Sequence, residues 1–353
     1  MQTVTGQQLA TNEALSFIET FLADRGMHVY RTDFDGYGAL VATTRQTKTP
    51  RVMLAGHIDV VPASPGMFLV KEEGSKLFGR GVWDMKSAIA GYMLAVDALK
   101  DNLADYDFGI MITSDEETRD LGMKALLDEG YCPTEAAILF DGGYDWQVAR
   151  LAKGAFYGII EINGETGHGS RTWLVDSASM RLVSLLAELQ THFAKPAIDA
   201  NTLNISALQA AVVGQAVNQI PGTATAGIDI RVMSDADADR LKGVVEQLCV
   251  KYGASFHPYV EFTTLNHDMN GAHMASFIRH IKGITGVENE GVISAGASDA
   301  NHFMARGIEC VVTWPIGGGH HSEQEWIDKQ ALEDIVPIIT GYLQEMTKVN
   351  LSR

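Results

Sequence analysis

The sequence predicts an α/β protein, a layered domain interrupted midway by a smaller inserted one. Residues 1–154 alternate short apolar runs with helical patterns, as strands and helices stacked in layers do. Residues 155–265 change to strand, helix, strand, strand, helix, strand. Residues 266–353 return to helix, strand and helix, so the first and last stretches form one discontinuous domain and the middle stretch a second.

The elements follow in order. Residues 11–26 read as a helix, with Thr11 placed to cap it, Leu15, Ile18 and Leu22 at helical spacing, and Gly26 at its stop. Apolar runs at 39–42 and 52–55 predict strands. Residues 85–99, MKSAIAGYMLAVDAL, predict a helix that is apolar on most sides, hence buried. A strand at 109–113, a helix around 124–129 and a strand at 136–140 complete the first stretch. In the middle stretch strands fall at 156–162, 203–208, 223–232 and 258–265, and helices near 176–194 and 237–252. That order is the ferredoxin-like β-α-β-β-α-β pattern. Ala224, Ala226, Ile228, Ile230 and Val232 alternate with small or polar residues, as one buried sheet face requires. A helix near 273–283, a strand at 309–313 and a helix near 328–346 close the chain.

Bulk composition narrows the function. Acidic residues number 44 against 27 basic ones, a formal charge of −17 over 353 residues. That balance argues against nucleic acid or an anionic membrane surface as partner. No apolar run is long enough for a transmembrane helix, and the first residues lack the basic and apolar regions of a secretory signal. Cys132, Cys249 and Cys310 cannot all pair within one chain and form no CxxC, so they read as free thiols in a reducing compartment. The expected location is cytoplasmic.

Five clusters carry candidate chemistry, and each also has a structural reading. His57 and Asp59 stand two apart at the end of an apolar strand, where residues i and i+2 face the same way; they could equally be a surface pair. Asp84, in Gly79-Arg80-Gly81-Val82-Trp83-Asp84-Met85-Lys86, could cap the buried helix or bridge two cations with its two oxygens. Asp115-Glu116-Glu117 follow a strand directly. They form either a solvated charged turn or a crowd of acids that needs a cation to stay ionised. Asp141 ends another apolar run, at the edge where ligand crevices of open α/β sheets form. His320 and His321 follow Gly317-Gly318-Gly319, which frees the backbone there. Taken together, nitrogen and carboxylate donors at successive strand ends suit zinc, cobalt or manganese. Two ions about 3.5–4 Å apart sharing a carboxylate would use all of them, whereas a single ion needs only three.

The order of these motifs, His57-x-Asp59, Gly79–Lys86, Asp115-Glu116-Glu117, Asp141, His168-Gly169-Ser170, Asn218-Gln219-Ile220-Pro221 and a late glycine-rich His321…Glu325, resembles the dinuclear zinc amidohydrolases. These M20-type metallopeptidases include succinyl-diaminopimelate desuccinylase, acetylornithine deacetylase, aminoacylases, carboxypeptidases and dipeptidases. The resemblance spans nearly the whole chain. It implies a zinc-peptidase-like α/β/α catalytic domain with an inserted ferredoxin-like lid domain that also mediates homodimerisation. It implies two divalent metal ions, zinc by preference with cobalt or manganese as alternatives. Asp84 would bridge them, Glu117 and His321 would complete one site, and His57 and Asp141 the other. His321 is preferred to His320 because the family's histidine precedes its glutamate by four, and Glu325 fits that spacing.

By the same resemblance Glu116 is the general base and later acid, and Asp59 orients His57. His168 would stabilise the oxyanion, from its own or a neighbouring subunit. Asn218, Arg231, Gly296 and Ser298 would contact substrate. The implied reaction is hydrolysis of the amide of an N-acyl amino acid; a dipeptidase or carboxypeptidase with the same metals is the alternative. Asp141 stands where the deacylases more often carry glutamate, which favours that alternative. Arg171-Thr172-Trp173 lacks the proline usual after the lid histidine. A metal- or small-molecule-binding protein without catalysis would be expected to lack the base or a ligand, and none is lacking.

Overall fold

In the computed structural model, which describes residues 1–118, 121–210, 217–296 and 298–349, helix α1 spans Gln8–Ala23 and buries Leu15, Ile18 and Leu22. It starts earlier than its sequence suggests. Thr11 lies inside it, donating its hydroxyl to the Gln7 and Gln8 carbonyls at 3.3 and 3.1 Å rather than capping it. A threonine whose hydroxyl can return to the preceding turn is tolerated mid-helix. Strands β1 (His28–Phe34) and β2 (Tyr37–Thr43) form a hairpin turned by Asp35 and Gly36, both at positive φ. The sequence gives no sign of β1, because it is an edge strand with a largely polar, half-exposed pattern.

The longer elements that follow in the first stretch are β3 (Val52–His57), α2 (Lys86–Leu99), β4 (Phe108–Thr113), α3 (Gly122–Asp128) and β5 (Ala136–Leu139), with short strands at Lys71–Glu73, Lys76–Phe78 and Ala149–Ala152 between and after them. The middle stretch carries β6 (Gly154–Asn163), α4 (Ala178–Gln190), β7 (Thr202–Ala210), β8 (Thr223–Val232), α5 (Asp235–Tyr252) and β9 (Ala254–Phe262). The last carries α6 (Ala272–Thr285), α7 (Ala300–Met304), β10 (Glu309–Val312) and α8 (Lys329–Met346).

Two units result. One comprises Met1–Arg150, His267–Ser294 and the chain from Ser298 onward; the other comprises Leu151–Asn266 and the short stretch beginning at Ala295. In the first, the sheet order is β1-β2-β4-β3-β5-β10. β3 runs parallel to β4 and β5, and β10 parallel to β5, while β1 and β2 are antiparallel additions. Every residue of β3, β4 and β5 is buried, as a sheet covered on both faces requires. The register sets His57 against Thr113 and Ala55 against Leu139, so the chain leaves these three strands at one edge of the sheet. Leu15 of α1, Ile89 and Tyr92 of α2, Phe277 of α6 and Ile335 and Tyr342 of α8 share one core cluster with the strand residues.

The second unit is a four-stranded antiparallel sheet of order β7-β8-β6-β9. Phe156, Ile160, Ile228 and Ile230 of one face pack with Leu182 and Leu185 of α4 and Leu241 and Val245 of α5. Burial along β8 alternates residue by residue, as the sequence pattern requires. Ser177 and Ser234 cap α4 and α5 through their hydroxyls, and Gly253 ends α5 at φ +61°. No helix among the described residues is long and apolar enough to cross a membrane.

Two glycines separate packing from helix propensity. A Cβ on Gly91 of α2 would lie 2.2 Å from Ile335 Cγ2 of α8, whereas one on Gly283 of α6 meets nothing within 4 Å. Gly91→Val is expected to destabilise the fold by about 1–3 kcal/mol through overpacking. Gly283→Ala is expected to stabilise it by about 0.5–1 kcal/mol. Urea unfolding midpoints of the two variants check both signs.

Candidate metal centre

The edge where β3, β4 and β5 end collects the acids and imidazoles. His57 is the last residue of β3 and is fully buried. Asp84 stands two residues before α2, whose N-cap is Met85 with no side-chain hydrogen bond. The carboxylate of Asp84 therefore does not cap the helix; it turns to the imidazoles. Its Oδ1 lies 3.3 Å from His57 Nε2, and its Oδ2 lies 2.9 Å from His320 Nε2 and 3.4 Å from His321 Nε2. Glu117 Oε2 lies 2.9 Å from His321 Nε2, and Glu116 Oε2 lies 3.8 Å from His57 Nε2. Asp141, two residues past β5, is close enough for its charge to be felt by Asp84, Glu116 and Glu117.

A hairpin delivers the two histidines. Gly317–Gly318 pairs antiparallel with Trp326–Asp328, which pairs in turn with Lys76–Phe78. Gly319 sits at φ +76°, and a Cβ there would lie 2.2 Å from the Gln324 carbonyl, so only glycine fits. Glu325, used by the sequence only as a spacing marker, is buried at the base of this hairpin. Its Oε2 meets Arg80 Nη1 at 2.5 Å, and its Oε1 accepts the Trp83 and Asp84 N–H groups at 3.0 and 3.2 Å. One carboxylate thus ties the histidine hairpin to the loop that holds Asp84. Sequence reasoning left Arg80 without a role; its signal was a charged residue fixed between two glycines of a loop next to Asp84.

Behind the ligand candidates lies a second layer. His57 Nδ1 faces the main-chain carbonyl of Asp59 at 3.0 Å and its carboxylate Oδ1 at 3.4 Å. Asp59 therefore meets the ring through its backbone as well as its side chain. Asp59 Oδ2 accepts the Thr5 hydroxyl at 2.8 Å and the Glu117 N–H at 3.2 Å. Thr5 carried no signal in the sequence. Asp115 is buried and accepts the Leu121 and Gly122 N–H groups at the start of α3, which anchors the loop bearing Glu116 and Glu117.

The remaining sequence candidates are distributed between the two units. Ser298, buried in the first, faces the Ala300 N–H at 3.4 Å with its hydroxyl. In the second unit His168 is exposed, and its Nδ1 accepts the Ser170 N–H at 3.2 Å, so the neutral ring carries its proton on Nε2. Gly167 and His168 pair with Ile220 and Gln219, and Gly169 donates its N–H to the Asn218 carbonyl, which puts Asn218 beside the histidine. Arg231 is held bidentately by Asp229, at 2.8 and 3.3 Å, and lies over the Tyr157 ring; its guanidinium is not an open fork. Gly296 is exposed in the short stretch assigned to the second unit.

The electrostatics are those of a crowded, desolvated site. Burial alone would raise the Asp84 pKa, but His320, His321 and His57 hold it well below the carboxylate range. Burial alone would lower His57; Asp59 and Asp84 outweigh it and raise its pKa well above the ordinary value. Asp84 and then Glu117 lift His321 to about 10. Glu116 is pushed well above the glutamate range by burial, with the negative charges of Asp141, Asp299 and Glu117 adding to it against His57. Burial, then Asp84, lifts Asp141 to about 8.

The donor atoms fit divalent cations. His57 Nε2 and Asp84 Oδ1 are buried 3.3 Å apart with no hydrogen-bond partner among the described residues, and Asp141 Oδ2 is buried in the same condition. Buried polar atoms left this way are costly unless something else takes their lone pairs. Two overlapping groups, His57-Asp84-Glu117 and Asp84-His320-His321, each hold one donor atom per residue within 4.8 Å of the others. Imidazole nitrogens and carboxylate oxygens are the ligands of zinc and similar ions.

Comparison with known proteins agrees with this chemistry. The profile of peptidase family M20/M25/M40 matches residues 53–345. The succinyl-diaminopimelate desuccinylase of Parvibaculum lavamentivorans is 26% identical over 319 residues, covering 83% of this chain and 80% of that protein. The desuccinylase of Azoarcus sp. is 27% identical, covering 94% and 92%. Among solved structures, a tripeptidase of Staphylococcus aureus superposes with a TM-score of 0.78 at 17% identity, covering 94% of this chain and 91% of that one. An M20 family metallo-carboxypeptidase of Sulfolobus solfataricus gives 0.78 at 16%, covering 95% and 94%. These structural likenesses concern the fold.

The Glu325 clamp is open to test. Glu325→Ala leaves Arg80 charged, buried and without its partner, and is expected to cost about 3–5 kcal/mol in urea unfolding. A loss below about 1 kcal/mol would show that the hairpin is held by something else.

Proposed function

This chain belongs to peptidase family M20/M25/M40 and is a metal-dependent hydrolase of amide bonds, and on that premise we propose that it cleaves the amide of an N-acyl amino acid. The observation that carries the reading is Asp84, a buried carboxylate with its two oxygens turned to different imidazoles, and Glu116 alongside. We assign Asp84 as the bridge between two divalent ions, zinc with cobalt or manganese as alternatives. With Asp84, Glu117 and His321 would hold one ion, and His57 and Asp141 the other. Such a pair of ions, when bound, polarises the substrate carbonyl and lowers the pKa of water towards neutrality.

The chain's own groups do the rest. Glu116, raised in pKa by burial, is suited to take a proton from the attacking water at Oε and return it to the leaving nitrogen. Asp59 fixes the His57 ring through Nδ1, leaving Nε2 as the coordinating atom. His168, with its proton on Nε2, offers a hydrogen-bond donor for the developing oxyanion. Asn218, Arg231, Gly296 and Ser298 are assigned to substrate contacts; for Arg231 this requires exchange of Asp229 for a substrate carboxylate.

The desuccinylase relatives favour the deacylase reading. Asp141 in place of glutamate favours the alternative, a dipeptidase or carboxypeptidase. We further assign the inserted unit as a lid through which a homodimer forms. Its edge strand β7 exposes Ile205 and Leu208, and α4 exposes Met180 and Val183. The three free cysteines fit a cytoplasmic location.

Glu116→Gln is expected to lower turnover by at least about a hundredfold while both metal ions remain bound. Turnover of an acetyl- or succinyl-amino acid, read with metal content by elemental analysis, checks this. Near-normal turnover in that variant would remove Glu116 as the base. A panel of N-acyl amino acids against dipeptides is expected to favour the former on kcat/KM; the reverse order would select the peptidase reading.

A further inference from the structure

We propose that His320 is a further metal ligand of this centre, a second imidazole delivered by the same hairpin as His321. The proposal rests on the dinuclear reading above and extends it to a residue outside the set that reading assigns. His320 Nε2 lies 2.9 Å from Asp84 Oδ2, nearer than His321 Nε2 at 3.4 Å. Asp84, His320 and His321 form one of the two groups whose donor atoms all lie within 4.8 Å of one another.

Consecutive side chains on regular extended backbone point to opposite sides. Here they do not. Gly319 at φ +76° and His321 at φ +55° turn the chain so that the two rings lie side by side, tilted, with centroids 3.8 Å apart and planes 34° apart, and both Nε2 atoms reach the same oxygen. A non-glycine residue in the left-handed region is uncommon, and it persists only where the surroundings fix it. The rest of the His320 ring is set by tryptophans, Trp314 at 5.2 Å and Trp83 at 6.3 Å between centroids. Trp83 is itself pinned by its indole N–H to the Pro315 carbonyl at 2.8 Å. A ring that is half-exposed, bordered by two indoles, and presenting one nitrogen to a buried carboxylate that already meets two other imidazoles is arranged as a ligand. An additional nitrogen donor moves the site's preference towards zinc and cobalt and away from manganese.

The test measures metal binding, not activity. Zinc affinity is read by competition with a chromophoric chelator, and cobalt coordination by visible absorption. The proteins are the full-length wild type, His320→Ala, His320→Gln, His321→Ala and the double alanine variant. Circular dichroism without metal establishes that each is folded. The proposal expects His320→Ala and His320→Gln each to weaken one ion by at least about tenfold and to alter the cobalt band. It also expects His321→Ala to keep a residual affinity that the double variant loses. Glutamine keeps a hydrogen bond to Asp84 but is a poor ligand. If His320→Gln retained wild-type affinity and spectrum, His320 would be a hydrogen-bonding neighbour only and the proposal would fall. In that result the wild type would still bind two ions, so the dinuclear reading would stand. A wild type that took up no ion would overturn both.

Discussion

Three imidazoles converge on the carboxylate of Asp84, which is only 4% exposed. An ionised group so placed has lost most of its hydration, and burial by itself would make it take up a proton. The surrounding rings reverse that and keep Asp84 charged. The constraint then passes outward. Burial displaces both Asp141 and Glu116 upward, with the charge of Asp84 adding to it at Asp141 and those of Asp141, Asp299 and Glu117 adding to it at Glu116. A cluster of this kind is stable in two ways: with protons distributed among rings and acids, or with cations in their place. The second is the arrangement to which the family membership and the orphaned donor atoms both point.

The fold supplies the convergence by topology and then fixes it with a small number of polar contacts. Parallel strands β3, β4 and β5 end at one edge, so three loops far apart in sequence start from the same place. The hairpin 317–326 has no such guarantee. It is brought in by Glu325, whose two oxygens join Arg80 and the backbone at Trp83 and Asp84. Asp59 does the same for the other side, linking His57, Thr5 and the Glu117 backbone through one residue. These two carboxylates thus tie the acids and imidazoles together without belonging to either group of close donor atoms.

Much of this was legible in the sequence because the strands that carry the site are buried on both faces and so read as uninterrupted apolar runs, each leading within two residues into a polar side chain. The period-two pattern of β8 was equally plain. What was not legible is what depends on tertiary partners. β1 is a polar edge strand without an apolar run, and Thr11 looks like a cap until its helix is seen to start earlier. Asp84 looks like a helix cap for the same reason: position alone does not say which way a short carboxylate turns. The roles of Arg80 and Thr5 were not legible because they consist of contacts to residues 245 and 54 positions away. His320 and His321 are adjacent and chemically identical, and spacing to Glu325 prefers one of them; only the left-handed turn of the hairpin shows that both reach Asp84.

The most direct test of the central claim, that these side chains gather around a pair of divalent ions bridged by Asp84, is metal stoichiometry by elemental analysis after equilibration with zinc. The wild type is expected to retain two ions per chain and a folded Asp84→Ala variant to retain none at the same free zinc. Two tightly held ions in Asp84→Ala would contradict the account.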